Sequence, residues 1–380
     1  MKKFFSIISL LICCCLVFTA CKSKNATDLS SGAPDTSITT ADTKNMDFSI
    51  DEDDTDTSYD GSSATKISLS DTGTTTVSGS GVKTDSSNGL ISGCADITIT
   101  AAGTYLLSGE KSDVMVIVNA ENKEVHIVLS GVTIKNSKGP AIYVKSAKKV
   151  TITLQDGTTN TISDGSSYSV SDSNSTLDAA IFSKADLTIN GNGTLTLKGN
   201  YKHGIVSKDD LIITSGTFNI TSKKVGISGK DCVKISGGNI TVNAGSDGIR
   251  SDNTDDASKG YIYISGGTIN ITAGNDGIQA ETVLKIENAN LTVKSGGGSS
   301  DSLTSSSESY KGLKAGSDIY ISGGSINIDS KDDSIHSNGT ITISEGKFSL
   351  SSGDDGRQTS RLHRISRKPS AYRRCSPLGG

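Results

Sequence analysis

The chain has 380 residues, of which 33% are hydrophobic and 4% aromatic, with 42 glycines and no tryptophan. That excludes a bulky globular core and suits short strands joined by tight turns. A formal net charge of −4 excludes the basic field that recruits nucleic acid, and no apolar run beyond the N-terminus is long enough to span a bilayer.

Residues 1–21 read as a lipoprotein signal peptide. Lys2 and Lys3 precede the apolar run Phe4–Val17, and Phe18-Thr19-Ala20-Cys21 forms a processing site in which Cys21 becomes the lipidated N-terminus. An ordinary cleaved signal is the alternative, and either way the protein is exported. A lipid on Cys21 puts the expected location at the outer face of the cell membrane. Residues 22–64 are rich in Ser, Thr and Asp, include Asp51-Glu52-Asp53-Asp54, and read as a disordered, solvated tether. Residues 65–130 are strand-like but off the register that follows, so they are expected to form irregular first coils and an N-terminal cap. Beyond Cys21 only Cys94, Cys232 and Cys375 remain, an odd number that argues against a disulfide framework.

A cassette then recurs: apolar-x-apolar, Ser-Gly-Gly, x-apolar-x-apolar, and a polar turn ending Asp-Gly-Ile. The residue before the branched position falls at Gly204, Gly226, Gly248, Gly277, Gly312, Ser334 and Gly356, at intervals of 22, 22, 29, 35, 22 and 22. In one unit, Ile262 and Ile264 point inward, Ser265-Gly266-Gly267 turns the chain, Ile269 and Ile271 point inward again, and Ile278 follows as the third inward residue. No single unit buries its own face, so the units must stack. The predicted fold is all-β: a right-handed parallel β-helix over residues 65–356, about 22 residues per coil, expected to be a monomer.

Stacking puts acidic side chains in rows. Asp247, Asp276, Asp333 and Asp355 precede the glycine position, with Asp209, Asp231, Asp252 and Glu281 a few residues after it. Coils about 4.8 Å apart bring these carboxylates close enough to repel, and Ca2+ is the expected counter-ion. The expected ligand sets are Asp247, Asp252, Asp276 and Glu281, and Asp332, Asp333, Asp354 and Asp355. The competing reading is that each Asp bonds its own turn backbone.

On the outward side of the first strand, Lys234, Tyr263, Lys285 and Tyr320 form a row with the two tyrosines about 9–10 Å apart. That is near the disaccharide repeat of an extended polysaccharide, with the lysines suited to uronate carboxylates. The alternative is an ordinary solvated strand face. Catalytic chemistry is thin: His126, His203 and His336 lack the spacing of a triad or a zinc site. A lyase would need a base near a calcium cluster, for which Arg250, between Asp247 and Asp252, and Lys230, beside Asp231, are the placed candidates; Arg250 reads more simply as the salt-bridge partner of its neighbours.

The stretches Ala102-Gly-Thr-Tyr-Leu-Leu-Ser-Gly109, Val128-Leu-Ser-Gly-Val-Thr-Ile134 and Val150-Thr-Ile-Thr-Leu-Gln-Asp-Gly157, together with the Ile-Ser-Gly-Gly and Asp-Gly-Ile coils, resemble a bacterial surface family of carbohydrate-binding domain-containing proteins. The resemblance implies a parallel β-helix similar to pectate lyases, calcium binding with the Asp-Gly-Ile aspartates as ligands, and non-catalytic binding of cellulose or acidic glycans. Alternatives are a calcium-dependent pectate-type lyase and a structural stalk or adhesin. The pattern breaks at Arg357, where a branched residue is due. Six of the seven arginines and two of the four prolines lie in 357–380, so this basic tail is expected to be a frameshifted or mis-called end.

Overall fold

The computed structural model describes residues 41–85, 90–169, 176–300 and 308–355, and the backbone of 358–361. The signal segment, Cys21 and most of the 357–380 tail lie outside the described residues. The chain winds as a parallel β-helix, its strands hydrogen-bonded to the equivalent strands one coil away.

Each coil contributes up to three faces. The first carries Cys232–Ile235, Tyr261–Ile264 and Leu284–Ile286; the second Asn239–Ala244, Thr268–Ala273 and Asn290–Ser295; the third Ile249–Ser251, Ile278–Ala280 and Leu313–Ala315. Pairing follows the repeat register residue for residue: Val233 opposite Ile262, Ile262 opposite Leu284, Ile240 opposite Ile269, and Ile249 opposite Ile278. The inward residues of all three rows form one continuous core from Ile67 to Ile343.

Two glycine positions explain the cassette. Gly238, Gly267 and Gly324 adopt φ of +96°, +93° and +90° at the turn between the first two faces, a conformation closed to side chains. The glycine before the third strand is needed for closeness. A Cβ on Gly248 would lie 2.3 Å from Ile271 Cγ2, and one on Gly277 2.2 Å from Val293 Cγ1. The obstructing atoms belong to the β-branched residue of the next second strand. Ser334 occupies the same row where the next coil offers Leu350, which has no branch at Cβ.

The first coils are less irregular than expected. Gly103–Ser112 and Glu124–Lys135 are long strands in register with later coils, and Glu124–Lys135 serves two faces, pairing first with Lys149–Leu154 and then with Thr159–Ser163. Antiparallel strands Thr76–Ser78 and Val82–Asp85 lie against the first coil and close that end. At the other end, Gln358–Arg361 pairs with Ile335–Ile343, so the backbone ladder continues past position 357. Cys94 and Cys232 are buried free thiols.

The solvated-tether reading is corrected for residues 41–64. This segment lies along the outward side of the first face and runs opposite to the coil order. Ala41 N–H donates to Ser317 Oγ at 3.2 Å, Lys234 Nζ donates to the Ser49 carbonyl at 3.0 Å, and Asn190 Nδ2 donates to the Asp54 carbonyl at 3.1 Å. Tyr59 meets His126 edge to face at 6.1 Å, and Thr65 then enters the first strand. Buried Met46 and half-buried Phe48, the segment's large apolar residues there, pack with Tyr261, Tyr263 and Val283. Apolar burial and a fully buried Asp54 hold down a segment whose composition reads as solvated.

Candidate glycan-binding cleft and acidic clusters

The outward row forms as expected, with Lys234, Tyr263, Lys285, Tyr320 and Thr342 in register on successive coils. It does not form an open platform. Lys234 and Tyr263 are only 3% and 8% exposed, because Asp47, Phe48 and Ser49 cover them. Phe48 stands edge to face on Tyr261 at 5.1 Å and on Tyr263 at 5.5 Å. Tyr263 donates its hydroxyl to Glu287 Oε2 at 2.7 Å, and burial followed by this carboxylate pushes its phenol up to about 12.

Lys285 and Tyr320 remain accessible. They border a cavity of about 300 Å³ with Phe48, Ile321 and the hydroxyls of Thr43, Ser322, Thr342 and Ser344. The Lys285 ammonium lies 4.8 Å from the Phe48 ring centre and 5.0 Å from that of Tyr263, and pairs with Glu287 at 2.8 Å. The cleft thus combines flat apolar rings, a cation and several hydroxyls, the equipment for a polar ring with apolar faces. Phe48 was missed from sequence; its signal is that it stands almost alone among polar residues.

Among the described residues, acidic groups converge within 4.8 Å in two places: Asp332, Asp333 and Asp354, and Asp186, Asp209 and Asp210. The first is three of the four residues of one expected set; the fourth, Asp355, is exposed, and its N–H donates to Asp333 Oδ1 at 3.3 Å. Lys311 pairs with Asp332 at 2.5 Å and lies 3.7 Å from Asp333, and His336 Nδ1 is 2.9 Å from Asp333. Asp354 is raised by burial and then by Asp333, Asp355 and Asp332. An all-carboxylate set this tight fits a hard divalent cation, with Lys311 as its rival.

The other expected set, Asp247, Asp252, Asp276 and Glu281, is not gathered. Asp247 Oδ1 accepts the Asp276 N–H at 3.2 Å, and Asp276 Oδ1 accepts the Lys311 N–H at 2.7 Å, so each carboxylate ties its coil to the next. Arg250 bridges Asp247 at 3.4 Å and Asp252 at 2.9 Å, and Lys314 stands 3.6 Å from Asp276. Backbone donors and the chain's own cations offset the repulsion for which an ion was expected. Asp247 is still pushed up to about 6, first by burial and then by Asp276.

The Asp186 group was not singled out from sequence, although Asp209 stood in an acidic row. Burial, then Asp186 and Asp231, raise Asp209 to about 7. His203 is lowered to about 4 by burial and then by Arg250 and nearby lysines, and its Nδ1 accepts the Val225 N–H at 3.2 Å. Lys230 pairs with Asp255 at 3.0 Å on the surface.

Comparison with known proteins bears on this geometry. A family described as "Carbohydrate-binding domain-containing protein" matches residues 93–356. A protein of that description from Acetivibrio thermocellus is 38% identical over 165 residues, covering 42% of this chain and 49% of the relative, so the match spans about half that relative's length. Among solved structures, a polysaccharide lyase-like protein from C. thermocellum, solved as a gadolinium derivative, aligns with a TM-score of 0.54 and 30% identity over 79% of this chain and 96% of its own. With its coils in register over the matched residues, this chain belongs to the carbohydrate-binding domain-containing protein family.

Proposed function

We propose that the protein is an exported, Cys21-anchored, non-catalytic polysaccharide binder that acts at the outer face of the membrane as a monomer. The observation that carries this reading is the cleft between Phe48 and Tyr320, in which rings, the Lys285 ammonium and four hydroxyls converge. A sugar ring lies against Tyr320, its hydroxyls reach Ser322, Thr342 and Ser344, and Lys285 favours glycans that carry carboxylates. Its volume of about 300 Å³ suits a short stretch of chain rather than a buried substrate. The basic side chains near the acidic rows are engaged in ion pairs, Arg250 with two aspartates and Lys230 with Asp255, which supports binding without chemistry.

Calcium enters the proposal at Asp332, Asp333 and Asp354, where it would offset carboxylate crowding and tie neighbouring coils. A neighbour solved as a gadolinium derivative is in keeping with this, since gadolinium also prefers oxygen donors. The test is retention on insoluble cellulose and on polygalacturonate, with the supernatant assayed for unsaturated uronate. Retention without product, reduced by Tyr320→Ala, supports the binder. Product formation makes the protein a lyase, and no retention on any glycan leaves a structural stalk.

A further inference from the structure

The Tyr320 cleft does not end at Phe48. Beneath Asp47, Phe48 and Ser49 the same outward row continues through Tyr263 to Lys234. We infer that this stretch of the N-terminal segment is a removable plug that occupies the continuation of the cleft, and that the outward row beneath it accepts an acidic polysaccharide chain in its place. The inference rests on the polysaccharide-binding reading and names its substrate class and its regulation.

The plug's contacts are those that a uronate chain makes. Asp47 sets a carboxylate 3.5 Å from Lys234 Nζ, and the Ser49 carbonyl accepts from the same ammonium at 3.0 Å. Phe48 sets an apolar ring edge to face against Tyr261 and Tyr263. The Asp47 carbonyl accepts the Tyr261 hydroxyl at 2.5 Å. Lys234 and Lys285 lie two coils apart, about 9–10 Å, so carboxylates on alternate sugars reach both. Lys234, buried between Ile212 and Tyr263 of the neighbouring coils, is costly to cover with apolar protein and easily served by a polyanion.

The segment is held unevenly, which makes it able to lift. Among the described residues, the backbone-to-backbone hydrogen bond from residues 41–53 to the coils is Asp42 N–H to the Ala257 carbonyl, at 2.9 Å; the other hydrogen bonds from this stretch to the coils run to side chains, those of Ser317, Tyr261 and Lys234. Asp47, Ser49, Asp51, Glu52 and Asp53 are exposed. Asp54, by contrast, is 2% exposed, pairs with Lys149 at 2.6 Å, and takes hydrogen bonds from Thr188, Asn190 and Thr214. The face on that side also carries Asp186 and Asp210, which repel a polyanion. Residues 41–53 are thus the part that lifts, Asp54 is the hinge anchor, and the acidic chain runs from Tyr320 to Lys234.

The test uses the full chain and oligogalacturonates of increasing length, with cello-oligosaccharides as the neutral control. Asp47→Ala/Phe48→Ala is expected to bind the acidic oligomers about tenfold more tightly than wild type, with affinity rising further with chain length. Lys234→Ala in that background is expected to cancel the gain, and neutral oligomers should bind no tighter. Amide hydrogen exchange over residues 44–50 reports whether the plug has lifted; Met46→Ser is the second variant if it has not. A lifted plug with unchanged oligogalacturonate affinity overturns the inference. The binding reading then still stands if Tyr320→Ala weakens the wild type. Absence of any glycan binding in every variant removes both.

Discussion

Lys234 and Tyr263 stand opposite one another on neighbouring coils, both outward, and both are buried under residues 47–49. The far end of that cover is pinned by Asp54 on Lys149, Thr188, Asn190 and Thr214. Asp54→Ala removes a buried carboxylate and leaves Lys149 and Thr188 without it, while Asn190 and Thr214 keep the residue-54 carbonyl, which is expected to cost about 2–4 kcal/mol in urea unfolding. Amide exchange over 50–58 should rise with it. Unchanged stability and exchange contradict the pinning.

The glycine row makes a prediction about paired positions. Gly248→Ser is expected to destabilise by about 1–3 kcal/mol, because the new Cβ meets Ile271 Cγ2 at 2.3 Å and the Gly277 carbonyl at 2.6 Å. Ile271→Leu removes the branch and recreates the natural Ser334–Leu350 arrangement. The double variant should recover part of the loss, a coupling that a double-mutant cycle measures. Strict additivity contradicts the steric account.

Asp247 sets a pH dependence. Its folded-state value of about 6 lies above the usual carboxylate range because of burial and Asp276. Its contribution is present in full below the unfolded value and is lost as pH rises through about 6. Stability in chelator is therefore expected to fall between about pH 4 and pH 6, and to level off above that, by on the order of 2 kcal/mol from this group. Asp247→Asn should flatten that slope. A slope that persists in the variant contradicts the assignment.

Calcium at Asp332, Asp333 and Asp354 predicts a higher melting temperature with calcium than with chelator. Asp354→Asn should abolish most of the difference while changing the chelator-state melting little, since Asp354 is exposed and crowded by like charge. Lys311→Met should strengthen calcium binding by removing the competing ammonium. Equal melting with and without calcium contradicts the site.

The coils were legible because their information is local: strand alternation and a fixed period suffice to place Ile262, Ile269 and Ile278 on three inward faces. The outward tyrosine row was legible for the same reason. What was hidden is what covers it. The contacts of Asp54 with Thr188 and of Ser49 with Lys234 join residues far apart in sequence, and no periodicity relates them. The traces in the sequence are slight: Ile212 and Tyr263 are apolar-bodied residues at outward positions, and Met46 and Phe48 interrupt a polar run. The convergence of the carboxylates was only half legible. Rows of aspartates are visible in the repeat, but how each carboxylate is offset depends on neighbours such as Arg250, Lys311 and Lys314, which the period does not position.

The central claim is that the cleft beside Tyr320 binds glycan. Titration calorimetry of cello- and galacturono-oligosaccharides against wild type and Tyr320→Ala tests it most directly. The account predicts saturable binding weakened about tenfold or more by Tyr320→Ala, with Thr241→Ala on the second face without effect. Equal affinity of Tyr320→Ala and wild type would contradict it.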